Sequence, residues 1–356
     1  MAGTVRLRDE AARLWHLSAT RYHPPVPFRE ITGHDHLRGL IGRAAVRGTL
    51  PPSLIFAGPA GVGKHLVAVA LAQLVNCQSP AGDDACGECQ QCRRIARRVH
   101  ADVLFIEPGE TGSIKIAQIR DAVDRAAYRP FEGRRRVVVI DDADRMMAEA
   151  QDALLKTLEE PPNATTFVLV TASPEMLLPT IRSRCQRLRF GRLSPADVAD
   201  VLMQKHGYAP SDAHAAASLS DGSIGRALEE GTEAFVDARA AALQLLETVA
   251  PAPPPARRIQ GAGTLPGAGR SKADRDALAQ SLRALSSLLR DLGALAAQAD
   301  ERALANADLR RNLEPLVRAY DRERVLRAFA SVDRALNALD RNASPKIVAD
   351  WLAFQL

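Results

Sequence analysis

Residues Gly58 to His65 read G-P-A-G-V-G-K-H, and this octet limits the fold more than any other stretch of the chain. The apolar run Leu54-Ile55-Phe56-Ala57 leads into it as a strand, and Leu66 to Val75 leads out as an apolar helix. A glycine-rich loop between strand and helix is the setting of a phosphate-binding loop. There, successive backbone N–H groups and the helix N-terminus cradle phosphates around Gly58, Gly61 and Gly63, and Lys64 neutralises the outer ones. The next residue normally offers a hydroxyl to Mg²⁺, and here it is His65. The same eight residues therefore predict a nucleotide-binding α/β fold and an impaired hydrolytic site.

Short apolar runs alternate with helical patterns from Phe28 onward. Leu54 to Ala57, Val103 to Ile106, Val137 to Ile140 and Phe167 to Thr171 are expected strands, which implies a parallel sheet with helices on both faces. Ahead of them, residues 1–27 lack periodicity and end in His23-Pro24-Pro25-Val26-Pro27, which predicts a loose tail. Ser194-Pro195 with Asp197 opens a wholly helical region, read as a small second domain over 194–242. Pro251 to Pro255 and the glycines that follow predict a linker over 243–272. Beyond it, Leu278, Leu282, Leu285, Leu289 and Leu292 share one helical stripe, as do Val325, Phe329, Val332, Leu336 and Leu339. Each stripe suits either a self-contained bundle or a surface that docks other subunits.

With 356 residues, 46% hydrophobic and 25% charged, the chain has room for two or three domains. No run of about 18 uncharged apolar residues suits a membrane span, and the N-terminus lacks a signal-peptide core, so a cytoplasmic location is expected. A formal charge of +5 is too small for this length to indicate nucleic acid by itself.

Two further constellations carry chemistry. Val137 to Ile140 ends in Asp141-Asp142-Ala143-Asp144, which delivers carboxylates to the edge of the sheet. Asp141 stands where a P-loop protein keeps its Mg²⁺-binding acid, and Asp142 stands where a longer glutamate would polarise the attacking water. Cys77, Cys86, Cys89 and Cys92 form a C-x8-C-x2-C-x2-C set within an insertion over 77–98. Four soft ligands at this spacing suit a closed, structural Zn²⁺ site; an iron–sulfur cluster or four unrelated thiols are the alternatives. Cys185 stands apart from the set.

The helix Ala153-Leu-Leu-Lys-Thr-Leu-Glu-Glu-Pro-Pro162 is followed by Phe167 to Thr171 and then by Ser183-Arg184-Cys185. Together with the loop, the four cysteines and D-D-A-D, in this order, the chain resembles the bacterial DNA polymerase III clamp-loader family of AAA+ ATPases. That resemblance covers about Phe28 to Ala227, and more weakly the C-terminal helices, where Asn342 to Val348 is similar to the family's collar segment. It implies an AAA+ P-loop domain over 28–193, a helical lid over 194–242 and a helical collar over 273–356. It also implies a five-subunit ring of gamma/tau, delta and delta prime chains that loads a sliding clamp onto primed DNA, with ATP between neighbours. Arg184 then corresponds to an arginine finger acting in the next subunit's site, and Thr171 to a sensor of the γ-phosphate. The plain alternative for Arg182, Arg184, Arg187 and Arg189 is a solvated basic edge.

Departures from the motor pattern point to the family's delta prime branch. His65 replaces the hydroxyl, Asp142 the glutamate, and Gly222-Ser-Ile-Gly-Arg226 displaces the lid arginine to Arg226. The end at Leu356, directly after the collar helices, is expected to leave no polymerase-binding extension of tau type. A non-hydrolysing subunit is thus the first reading. An ATP-hydrolysing gamma-type motor and a stand-alone zinc-bearing nucleic-acid binder are its rivals, the last disfavoured by 4% aromatic content.

Overall fold

The computed structural model describes residues 26–109, 111–229, 232–251, 253–267, 272–299, 304–340 and 343–356. The tail expected over 1–27 lies outside them apart from Val26 and Pro27, as does Asn342 of the collar segment. Two compact units are present, Met1–Arg192 and Leu193–Leu356. Among the described residues, no helix is long and apolar enough to cross a membrane.

In the first unit, strands β1 (Ser53–Ala57), β2 (Val103–Ile106), β3 (Arg136–Ile140), β4 (Thr165–Thr171) and β5 (Gln186–Arg189) form one parallel sheet in the order β2-β3-β4-β1-β5. Helix α1 (Asp35–Val46) precedes β1, and α2 (Lys64–Asn76) and α3 (Gln90–Ala96) join β1 to β2. Then α4 (Ile116–Ala126), α5 (Ala148–Glu159) and α6 (Pro179–Arg184) make the later crossovers. Successive strand side chains point to opposite faces, so the sheet has two cores. Leu54, Phe56, Val137, Val139, Val168 and Val170 pack with α2, Ile41 of α1 and Ile95 of α3. Ile55, Val138, Ile140, Phe167 and Leu169 pack with Ile119, Leu154 and Leu158 of α4 and α5. Burial on both faces is why the inner strands read as continuous apolar runs.

Strand β5 was not expected. Its sequence Gln-Arg-Leu-Arg buries only Leu188, because it is an edge strand held through backbone pairing to β1. Arg187 and Arg189 of the basic run are therefore strand residues. Directly after β5, the Phe190 N–H donates to Ala57 O at 2.7 Å. A Cβ on Gly58 would lie 2.2 Å from Phe190 O, so the first loop glycine is required by this close approach.

A buried anion ties the far end of the sheet together. Asp102, ahead of β2, accepts N–H bonds of 2.8 Å from Phe131, Glu132 and Gly133 and a 2.7 Å bond from Arg136 Nη2. Burial opposes its charge, but these donors outweigh that and hold its carboxyl at about 2.

The second unit is helical: α7 (Pro195–His206), α8 (Pro210–Leu219), α9 (Ile224–Glu229), α10 (Thr232–Val249), α11 (Pro255–Ala262), α12 (Lys272–Ala296), α13 (Arg310–Leu313), α14 (Arg322–Asp340) and α15 (Pro345–Gln355). Ser194 Oγ caps α7 by accepting from the Asp197 N–H at 3.1 Å, with Pro195 in the first turn. Two expectations are corrected here. The stretch 243–272 is not a structureless linker, because α10 runs to Val249 and Pro255 opens α11, a position where its missing N–H costs no helical bond. Gly261 lets α11 approach Leu245 and Thr248 of α10 closely, and Ala262 and Leu265 are buried. Nor do lid and collar have separate cores: one cluster runs from Val198 and Leu202 through Leu245, Leu285 and Val332 to Leu352. The leucine stripe of α12 is wholly inside that cluster, whereas Phe329 of α14 remains exposed.

Candidate functional site

Strand β1 ends at Ala57 and the chain turns at once into the glycine loop. Gly61 (φ 72°) and Gly63 (φ 96°) adopt left-handed backbone, which bends the loop so that its N–H groups converge. His34 braces the outer side, its Nε2 3.0 Å from Val62 O and its ring edge-on to Phe190 at 5.0 Å. Lys64 is buried, and its Nζ donates to Gly58 O and Pro59 O, both at 2.6 Å. Burial lowers its pKa, while Asp141, Asp142 and Asp144 pull it back up. The lysine thus holds the loop closed upon itself, with its charge facing the acids at the end of β3.

His65 sits in the first turn of α2, between two charged partners. Its Nδ1 stands 2.9 Å from Asp141 Oδ2, a close electrostatic contact off the line of an ideal N–H···O bond. On the other side, Arg98 Nη2 lies 3.1 Å from His65 Nε2. A guanidinium only donates, so Nε2 is assigned as acceptor and Nδ1 carries the ring proton. Arg98 is itself bonded to Glu107 Oε1 at 2.8 Å and lies 4.7 Å over the Phe105 ring. Glu107, Arg98, His65 and Asp141 therefore form one continuous polar chain across the mouth of the loop.

Neither Arg98 nor Glu107 was singled out in the sequence. Arg98 reaches the site from just past α3, in left-handed backbone (φ 56°), and no local motif marks it. The other expected residues divide. Asp141 directly follows β3, its N–H donating to Ile106 O at 2.9 Å, whereas Asp142 is left-handed (φ 47°) and exposed, 4.0 Å from Arg145. Thr171, at the end of β4, pairs in register with Ala57 of β1. Its hydroxyl donates to Asp144 Oδ1 and accepts from the Ser173 N–H at 3.0 Å, so local groups already engage it. Asp144, given no separate role in the sequence, also takes the Ala172 N–H at 3.2 Å. Arg184 ends α6, exposed, bonded to Thr180 O at 2.9 Å and paired with Glu159. Arg226 belongs to the second unit, where Ser223 Oγ caps its backbone N–H at 3.1 Å.

The four cysteines of the insertion converge. All four sulfurs lie within 4.8 Å of one another, with Cys77 Sγ 3.4 Å from Cys86 Sγ and 4.0 Å from Cys89 Sγ. Sulfurs arranged tetrahedrally at about 2.3 Å from zinc stand about 3.8 Å apart, so the residues fit a single Zn²⁺. A cluster placed between the cysteines would hold their sulfurs farther apart. Backbone N–H groups also aim at the sulfurs: Cys86 to Cys77 Sγ at 3.3 Å, Glu88 and Cys89 to Cys86 Sγ at 3.4 and 3.3 Å. Burial opposes charge on Cys89, but N–H groups of Cys92 and Gln78 bring its thiol down to about 7. Burial instead pushes Cys77 and Cys92 up. A bound ion would hold the loop Cys77–Cys92 in place and leave no position open for chemistry. Asp84 within that loop accepts the N–H groups of Phe28 and Arg29 at 2.7 and 3.0 Å, which straps the insertion to the start of the domain.

Residues 33–194 match the family model described as DNA polymerase III, delta subunit. Through this region the chain is similar to the tau, gamma/tau and delta' subunits of DNA polymerase III. Its first unit is an AAA+ P-loop fold. Among curated relatives, the DNA polymerase III subunit delta' of Pseudomonas aeruginosa is 43% identical over 129 residues, 36% of this chain and 39% of that protein. The subunit tau of Bacillus subtilis is 33% identical over 174 residues, 49% of this chain and 31% of the relative. That of Escherichia coli is 31% identical over 209 residues, 57% of this chain and 32% of the relative. The chain thus spans about a third of the length of the curated DNA polymerase III subunits it matches.

Proposed function

We propose that this chain is a delta prime-like subunit of the DNA polymerase III clamp loader that does not itself hydrolyse ATP. The observation that carries this reading is His65: an imidazole facing Asp141 at 2.9 Å replaces the hydroxyl that hydrolysis requires beside that acid. Asp142, turned to solvent, adds a second impairment. In this reading the chain works in the cytoplasm with gamma/tau and delta subunits, in a five-membered ring that loads the sliding clamp onto primed DNA. Arg184 acts in a neighbour's ATP site. Its exposed position at the end of α6 supports this, since only a surface arginine can reach another subunit. Exposed Leu326 and Phe329 on α14, with Ile347, Trp351 and Phe354 at helical spacing on α15, support assembly through the collar helices. Zn²⁺ held by Cys77, Cys86, Cys89 and Cys92 is structural.

A gamma/tau-type motor remains the second reading, supported by the longer alignments to tau subunits, 49% and 57% of this chain against 36% for delta'. ATP turnover by the purified chain, with clamp and primed DNA, separates the two. Turnover at a motor's rate overturns the first reading; its absence, with turnover restored when the other subunits are added, supports it.

A further inference from the structure

The ion that normally accompanies a P-loop nucleotide does not fit the residues present. Mg²⁺ takes oxygen ligands in near-ideal octahedral geometry, and binds through a carboxylate, a hydroxyl and phosphate oxygens while keeping several waters. Here the hydroxyl is replaced by an imidazole ring whose Nδ1 stands 2.9 Å from Oδ2 of Asp141, the very carboxylate oxygen a metal would need. Behind the ring stands Arg98, a fixed positive charge 3.1 Å from Nε2. A divalent ion entering between His65 and Asp141 would have to displace the ring from its 2.9 Å contact and sit near the guanidinium.

The same residues supply what the ion would have supplied. Lys64, which closes the loop, and Arg98, which is paired with Glu107 and reaches His65, are the two cations beside it, and the Gly61 and Gly63 backbone keeps the phosphate-binding turn. Glu107 and Phe105 orient Arg98, so its charge is positioned rather than free to swing. We infer that this P-loop takes a nucleoside di- or triphosphate without a metal ion, His65 and Arg98 standing in for Mg²⁺. The inference rests on the reading of the loop as a non-hydrolysing nucleotide site. It adds a link between the two sites of the domain. Arg98 follows α3, the helix that carries Cys92, so the four-cysteine insertion delivers the compensating charge.

The test is calorimetric titration of the full-length chain with ADP and with a non-hydrolysable ATP analogue, in excess Mg²⁺, in Mn²⁺ and in a chelator too weak to strip the cysteine cluster. Affinity should agree within about twofold in all three conditions. Arg98→Ala should weaken binding about tenfold in the absence of metal, and His65→Thr should create a Mg²⁺ dependence of about tenfold. Tightening of the unmodified chain by Mg²⁺ or Mn²⁺ without turnover overturns this inference and leaves the non-hydrolysing subunit intact. Binding in none of the conditions overturns it too, again without touching the subunit reading. Mg²⁺-dependent release of phosphate from ATP overturns both.

Discussion

Arg184, at the end of α6, is paired within its own chain to Glu159, at the end of α5, and bonded to Thr180 O at 2.9 Å. In the proposed function this arginine acts in a neighbouring subunit, and an exposed carboxylate partner holds it in place beforehand at little cost in stability. The pair is also easily exchanged for a phosphate, which binds the same planar fork.

Arg184→Ala should therefore leave fold and assembly intact while turnover in the adjoining site of the reconstituted complex falls by at least about a hundredfold. Arg184→Lys should rescue poorly, because an ammonium lacks the fork. Arg187→Ala, on β5, controls for lost basic surface. DNA-stimulated ATPase and clamp loading measure all three; equal effects at 184 and 187 would return Arg184 to the solvated edge.

One Zn²⁺ per chain is expected, released by strong chelators with loss of order in the insertion. Cys89→Ser should abolish binding, whereas Cys185→Ser should not, since that thiol is buried elsewhere and pushed up to about 12 by desolvation. Elemental analysis with hydrogen exchange reads both. Because Asp84 holds the amides of Phe28 and Arg29, protection there should fall together with protection in the insertion. Exchange that stays unchanged after full metal removal would deny the ion a structural role.

The chain alone should not turn over ATP at a motor's rate. His65→Thr with Asp142→Glu should recover less than about a tenth of a motor's activity, since catalytic parts act as a unit and residue 142 is directed to solvent. Phosphate release under single-turnover conditions is the measurement, and full recovery in the double variant would show the remaining machinery to be intact.

Asp102 makes stability depend on acid. Its folded pKa of about 2 lies below the unfolded value of about 3.9, so its contribution is complete above that value and is lost as pH falls through about 2. Asp102→Asn should cost about 3–5 kcal/mol at pH 7, because Arg136 is left buried without its counter-charge. In urea titrations the gap between wild type and variant should shrink between about pH 4 and pH 2. A gap that does not change with pH would mean that the carboxylate is uncharged in the fold.

Local pattern alone determined the glycine loop, four of the five strands and the grouping of four cysteines. Each is written in adjacent residues: a buried parallel strand is a contiguous apolar run, and a metal knuckle is a short spacing between thiols. Composition misled where tertiary contacts compensated. The Pro/Gly-rich stretch holds α11 because a proline at a helix start loses no bond and Gly261 allows close packing on α10. Strand β5 escaped notice because an edge strand of Gln-Arg-Leu-Arg is held by backbone pairing, which side-chain pattern does not record. Likewise the sequence placed His65 beside Lys64 and Asp141 at a strand end, but not against each other, and gave no sign of Arg98. Only the sheet order, which lays β1 two strands from β3, and the path of α3 past the loop decided those contacts. Apolar periodicity specifies that a face is buried, whereas what it is buried against depends on packing between residues far apart in the chain.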